Sequence, residues 1–115
     1  MSENKYAMNC VSKEIKESCL RLLARREHSQ KELLNKLLVK GLDKDDILAV
    51  IDELAQQGWQ SDSRYAESYT RHRIQKGYGP IFIAYELRKN GIDAVNFEDI
   101  MQKMEYCNIV LIINT

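Results

Sequence analysis

The sequence predicts an all-α protein made of tandem three-helix repeats. The 115 residues include only five Gly and one Pro, too few for the many tight turns of an all-β fold. Strong helix formers fill the middle of the chain, and apolar residues recur there three and four positions apart. A shift of 50 positions superposes Leu37 on Leu87 and Gly41 on Gly91. The helical pattern therefore occurs twice.

The first repeat is expected to span residues 12–59 and the second residues 60–106. Ser12 opens the first helix, which carries Ile15 on its apolar side. Residues 1–11, which precede it, are expected to form a flexible N-terminus. A three-helix unit of this size buries little surface, so neighbouring repeats are expected to share a core.

The ends of the second and third helices carry recognisable signals. Ser29 and Glu32 have the spacing of a capping box, in which each side chain bonds the other's backbone N–H. Gly41 ends the second helix, because the left-handed position after a helix suits a residue without Cβ. The acidic residues from Asp43 to Asp46 start the third helix near its positive end, and Gly58 closes it.

The second repeat has matching signals. Ser61 and Asp62 open the fourth helix. Pro80 lies in the first turn of the fifth helix, where its missing N–H costs nothing, and Gly91 ends that helix. A sixth helix is predicted from about Asn96 to Tyr106.

Residues 107–115 form an apolar tail that breaks the repeat pattern. The run from Ile109 to Ile113 is apolar throughout and uncharged. It is either an irregular or strand-like tail that packs back on the domain, or part of a truncated third repeat. An exposed run of this kind promotes association. Self-association through Ile109–Ile113 is therefore expected.

The sequence offers no pattern for catalysis, a cofactor or a metal. Cys10, Cys19 and Cys107 lack the short spacing of a zinc site. No nucleophile–base pair and no phosphate-binding Gly loop is found. The odd number of cysteines, without a signal-peptide pattern, predicts a reducing cytoplasm. No run approaches the roughly 18 apolar residues of a membrane helix.

The formal net charge of zero hides a polarised chain. Residues 61–91 contain six Arg or Lys against three Asp or Glu, whereas residues 92–115 contain one against four. Local charge determines what a protein surface attracts. An acidic protein or a nucleoprotein is the expected partner.

Four segments in this order resemble the RecX family, the small bacterial regulators of the RecA recombinase. They are ARREHSQKELLNKLLVKG from Ala24 to Gly41, IDELAQQGW from Ile51 to Trp59, DSRYAESYTRHRIQKGYGP from Asp62 to Pro80, and ELRKNGI from Glu86 to Ile92. The resemblance covers roughly residues 18–92.

The resemblance implies tandem three-helix repeats, usually three of them, so a third repeat is expected to be absent here. It also implies binding along the groove of the RecA filament and inhibition of the recombinase, ATPase and coprotease activities in DNA repair and the SOS response. Many relatives carry an arginine where this chain has Ile81 and Phe82. This chain is therefore expected to have fewer cations on its basic surface than those relatives.

Cations near the Gly-Tyr-Gly-Pro turn are the candidate binding residues. Arg64 and Arg71 share one face of the fourth helix, with Glu67 between them. This is either a solvated face held by a Glu67–Arg71 pair worth about 0.2–0.5 kcal/mol, or part of a surface for phosphates or acidic protein groups. A second basic group at the end of the first helix consists of Arg21, Arg25 and Arg26. It is either explained by the helix dipole alone or part of a second binding surface. The candidate partner- or DNA-binding residues are Arg64, Arg71, Arg73, Lys76, Tyr78, Arg88, Lys89, Arg25 and Arg26.

Three tyrosines in this region have different predicted roles. Tyr65 and Tyr69 lie four residues apart on the apolar side of the fourth helix, a spacing typical of core. Tyr78 stands between two glycines in a turn, so it is the candidate for an exposed aromatic contact with single- or double-stranded DNA or with protein.

Two further classes of protein also fit the pattern. A helix-turn-helix DNA binder has similar three-helix units, although the presumed recognition helices lack a dense outward set of Arg, Asn and Gln. A non-catalytic helical adaptor neither needs nor excludes the basic patch. Salt-dependent binding to RecA filaments would distinguish a regulator of RecA from these two classes.

Overall fold

The computed structural model describes residues 2–93 of the chain, with side chains described from residue 11. These residues form helices and no strand, which confirms the predicted all-α class. The predicted sixth helix and the apolar run at 109–113 lie outside the described residues. The helices are α1 (Ser2–Arg25), α2 (Gln30–Val39), α3 (Lys44–Gln56), α4 (Asp62–Gln75) and α5 (Pro80–Lys89).

The chain divides into two compact units, the first ending at Ser61 and the second beginning at Asp62. In the first unit, α1 and α2 both pack against α3. The three helices bury their apolar side chains in one core. Burial of apolar surface is the main favourable term in folding. The buried core residues are Ile15, Cys19, Leu33, Leu37, Ile47, Val50, Ile51 and Leu54.

The first helix begins at Ser2 and runs through Ser12 without interruption. The predicted helix start at Ser12 is therefore wrong, and the backbone predicted to be a flexible N-terminus is helical. Residues 2–11 contain neither Gly nor Pro, so no residue in this segment opposes extension of the helix. A serine is a helix start only where the backbone before it leaves the helical conformation.

The predicted capping signals of the first unit act as expected. The Glu32 N–H donates to Ser29 Oγ at 3.1 Å, and the Ser29 N–H donates to Glu32 Oε1 at 3.2 Å. Asp43 Oδ2 accepts from the N–H groups of Asp45 and Asp46 at 3.1 and 3.3 Å. The acidic residues before α3 therefore serve as helix-start chemistry.

The two glycines paired by the 50-residue shift end their helices in the same way. Gly41 and Gly91 have φ of 85° and 91°, a conformation that disfavours a Cβ. The following residue then donates back into the last turn, from Leu42 N to Leu37 O at 3.4 Å and from Ile92 N to Leu87 O at 2.9 Å. These bonds are those of the Schellman motif.

In the second unit, α4 and α5 pack against each other. Thr70 is also fully buried there, and its hydroxyl finds no hydrogen-bond partner among the residues that the structure describes. None of the described helices is long and apolar enough to cross a membrane. The buried apolar residues of this unit are Tyr65, Ala66, Ile83, Leu87 and Ile92.

Candidate partner-binding surface on the second unit

Helices α4 and α5, with the turn between them, carry most of the candidate residues. The turn is a Schellman motif around Gly77, in which Tyr78 N donates to Arg73 O at 3.0 Å. This motif commonly brings the residue after the glycine against the residue whose carbonyl it bonds. Here the contact is a cation–π pair, with the Arg73 guanidinium carbon 5.0 Å from the centre of the Tyr78 ring.

The Arg73 guanidinium is held by groups inside the unit. Its Nε donates to the Tyr69 hydroxyl at 2.9 Å and lies 3.3 Å from Glu86 Oε1. The same guanidinium lies 5.0 Å from the centre of the Tyr69 ring, and the Tyr69 hydroxyl donates to Glu86. The hydrogen bond with Tyr69 raises the pKa of Arg73 above its ordinary value.

This network differs from the predicted role of Arg73 as a cation available to a partner. The Glu86 carboxylate compensates its charge, and both side chains of the pair are 24% exposed. Sequence spacing did not indicate the pairing, because Arg73 and Glu86 belong to different helices. Arg73 therefore contacts Tyr78 and pairs with Glu86, and its part in partner binding stays a prediction.

The aromatic residues continue this network from the core to the surface. The Tyr65 ring is 2% exposed and stacks on Tyr69 with a centroid distance of 5.7 Å. Tyr65 is thus core, as its spacing predicts, and its hydroxyl accepts from Asn90 Nδ2 at 2.8 Å. Tyr78 is 42% exposed and stacks on Phe82 at 4.7 Å with an interplanar angle of 19°.

The remaining candidate cations of this unit lie at its surface. Arg71 pairs with Glu67 at 3.4 Å across an exposed helix turn, the i,i+4 contact expected from the sequence. Such exposed pairs contribute little to stability. Within residues 11–93, Lys76, Arg88 and Lys89 form no ion pair. The exposed candidate cations are Arg64, Arg71, Lys76, Arg88 and Lys89.

An apolar surface lies beside these cations. None of its residues was among the candidates predicted from the sequence. Ile81, Phe82 and Tyr85 are 86%, 41% and 64% exposed, and we call these three residues the outer face of α5. The signal for it was present in the sequence. Ile83 and Leu87 point inward, and residues two positions away lie about 200° further round a helix of 3.6 residues per turn, so Ile81 and Tyr85 point outward.

The second basic group, Arg25 and Arg26, belongs to the first unit. Arg26 Nη1 and Nη2 donate to the two carboxylate oxygens of Glu32, both at 3.2 Å. Arg26 therefore adds a charge-assisted pair to the capping box of α2, a role that the predicted binding site did not include. Arg25 is exposed in the last turn of α1, where the helix dipole favours a cation.

The capping region also encloses His28, which is 2% exposed. Its Nδ1 lies 3.0 Å from the Arg26 carbonyl oxygen, and Lys36 Nζ lies 3.1 Å from its Nε2. A carbonyl oxygen only accepts and an ammonium only donates, so both contacts require the neutral tautomer with a proton on Nδ1. Burial lowers the pKa of His28 below its ordinary 6.5, and the charges of Arg26 and Lys36 act in the same direction.

Acid is therefore expected to destabilise the first unit through His28. The folded-state pKa lies below the unfolded value, so the stabilisation is complete above about pH 6.5 and is lost as pH falls towards the folded pKa. The slope is at most about 1.4 kcal/mol per pH unit for one proton. Urea unfolding followed by Trp59 fluorescence at several pH values measures it.

Two variants, one at each histidine, test whether His28 causes this pH dependence. His28→Gln removes the titrating group, so this part of the pH dependence is expected to disappear. His72→Gln changes an exposed residue and is expected to keep it. Equal pH dependence in wild type and His28→Gln would show that His28 is not the responsible group.

Neither a metal-binding group nor a reactive thiol is found among residues 11–93. They contain no group of three or more His, Cys, Asp or Glu placed to hold a metal ion. Burial raises the pKa of the Cys19 thiol to about 11. The thiolate is the reactive form, so Cys19 is an inert core residue at neutral pH.

Comparison with protein-family profiles gives two matches, one in each unit. The RecX first three-helix domain matches residues 16–54, and the RecX second three-helix domain matches residues 61–99. Together these matches cover more than half of the chain, in the order in which the repeats were predicted.

Individual relatives agree with the profiles. Regulatory protein RecX of Xanthomonas citri is 48% identical over 75 residues, which are 65% of this chain and 46% of the relative. Regulatory protein RecX of Halorhodospira halophila is 37% identical over 95 residues, which are 83% of this chain and 59% of the relative. The chain thus spans about half the length of the curated relatives it matches.

Two solved structures have the same fold. A crystal structure of regulatory protein RecX superposes with a TM-score of 0.76 at 22% identity, over 85% of this chain and 49% of the other. RecX from Lactobacillus salivarius gives a TM-score of 0.72 at 29% identity, over 81% of this chain and 61% of the other. The tandem three-helix architecture inferred from the sequence is that of these structures.

Proposed function

Because the chain belongs to the RecX family of regulatory proteins, we propose that it binds the RecA filament and lowers its recombinase, ATPase and coprotease activities. The chain acts by binding and performs no catalytic turnover. Such a regulator works in DNA repair and the SOS response, in the cytoplasm where RecA filaments form. The observation that carries the proposal is the match to both RecX three-helix domains in order.

The surface of the second unit supports this proposal physically. Exposed cations in α4, in α5 and in the turn between them lie beside an exposed apolar helix face. Charged groups steer a partner to a surface, whereas buried apolar contacts supply most of the affinity. A filament repeats the same binding site along its length. Many copies of this chain can therefore bind one filament, each through the same modest contact surface.

The test is a titration of RecA filaments on single-stranded DNA with this chain. ATP hydrolysis by RecA is expected to fall with added protein and to reach a plateau as the filament saturates. Co-sedimentation in the same buffer measures how much of the chain is bound. The chain alone serves as the control and is expected to hydrolyse no ATP.

The two readouts separate the parts of the proposal. Binding without loss of ATP hydrolysis would refute the inhibitory role and keep the RecA interaction. Absence of binding at saturating protein would refute both. Hydrolysis by the chain alone would refute its non-catalytic character.

A further inference from the structure

The outer face of α5 has the character of a docking surface. Its three members, Ile81, Phe82 and Tyr85, remain exposed although they are among the largest apolar side chains of the second unit. Ile81 and Tyr85 are four residues apart, so they lie one above the other on the helix. Contiguous exposed apolar side chains of this kind commonly mark interaction sites.

The charges around this face are of one sign. Arg88 and Lys89 follow Tyr85 by three and four positions, so they continue the same side of α5. Glu86, the only carboxylate of α5, is bonded to Tyr69 and paired with Arg73. The outer face therefore combines apolar side chains with cations whose charge no carboxylate of α5 is free to balance.

We infer that the outer face of α5 docks a protein segment in which apolar side chains are flanked by carboxylates. The inference rests on the proposed function, because it assigns one contact of the partner to this helix. Apolar side chains of the segment cover Ile81 and Tyr85, and its carboxylates meet Arg88 and Lys89. Recognition of this kind uses apolar anchors three and four residues apart along a helix, as when an amphipathic helix binds a complementary apolar surface.

A protein segment fits this face better than a nucleic acid does. Base stacking requires an aromatic ring with an open face. The Tyr78 ring already stacks on Phe82 at 4.7 Å and contacts the Arg73 guanidinium at 5.0 Å. Ile81, the most exposed member of the face, is aliphatic, and Tyr85 offers a single exposed ring, whereas single-strand binding sites stack successive bases on several rings.

The experiment uses the full chain with Ile81→Gln and Tyr85→Gln combined. Gln keeps helix propensity and removes apolar area, and Phe82 is retained because it stacks on Tyr78. Val39→Gln is the matched control, since Val39 is 88% exposed at the end of α2 in the other unit. Circular dichroism verifies that all three proteins are folded.

Binding is measured with three probes. The first is the RecA filament on single-stranded DNA. The second is a short synthetic peptide with Leu at every third or fourth position and Asp or Glu between them, and the third is an oligonucleotide of deoxythymidine. The double variant is expected to bind the filament and the peptide about tenfold more weakly or worse, while Val39→Gln binds like wild type.

Each outcome decides between the alternatives. Filament binding that is equal in wild type and double variant overturns the inference and leaves the proposed function standing. If wild type fails to bind the filament, the proposed function fails, and the peptide then decides the inference. Loss of oligonucleotide binding alone in the double variant assigns the face to nucleic acid. Conversion of a dimer to a monomer, seen by sedimentation, assigns it to a second copy.

Discussion

Leu37→Ala is expected to destabilise the first unit by roughly 3 kcal/mol. Leu37 is fully buried in the core formed by α1, α2 and α3, so truncation removes apolar contacts and leaves a cavity. Its carbonyl also accepts the Leu42 N–H that closes the Schellman turn. Urea unfolding followed by fluorescence measures the loss, because Trp59 is the only tryptophan and belongs to this unit.

The neighbouring residue provides a matched control. Leu38 is 38% exposed, so Leu38→Ala is expected to change the free energy of unfolding by about 0.5 kcal/mol or less. Both variants remove the same atoms from the same helix, and they differ only in burial. Equal losses in the two variants would contradict the placement of α2 in the core.

Combined replacement of Lys76, Arg88 and Lys89 by Gln is expected to weaken partner binding about tenfold. Exposed charge pairs contribute roughly 0.5 kcal/mol each, and about 1.4 kcal/mol corresponds to a factor of ten in Kd. The salt dependence of binding is expected to flatten as well, since fewer charges remain to be screened. Titration of RecA filaments at several salt concentrations measures both effects.

An equal change of charge in the first unit is the control. Lys13, Lys31 and Lys44 are also exposed, and their combined replacement by Gln is expected to leave affinity nearly unchanged. If the two triple variants weaken binding equally, only the net charge matters and the surface of the second unit is not the site. Arg73 is left intact in both, because its loss would disturb Tyr69, Tyr78 and Glu86 together.

Most of the helix ends and buried faces were predictable from the sequence between residues 29 and 92. The capping box at Ser29, the glycine stops and Pro80 at the start of α5 all appear where they were expected. The start of α1 was the exception. Ser12 has the residue type of a helix cap, but no neighbouring residue turns the backbone out of the helix.

The roles of individual charged side chains were not predictable in the same way. Arg73 looked like one of several equivalent surface cations, yet its guanidinium carbon lies 5.0 Å from the centres of two tyrosine rings and the side chain pairs with Glu86 of α5. Arg26 likewise serves the capping box through Glu32. Tyr78 was expected to be exposed, and its stacking on Phe82 was not expected.

The sequence by itself determined the all-α class, the 50-residue repeat and the RecX family, because the signals that mark each helix are local and their order along the chain identifies the repeat and the family. Caps, glycine stops and apolar periodicity act within one or two helical turns. Only the tertiary structure decided which cations are neutralised and which aromatic rings stack on one another. Those outcomes depend on distances between side chains of different helices, such as Arg73 and Glu86, and packing alone sets them.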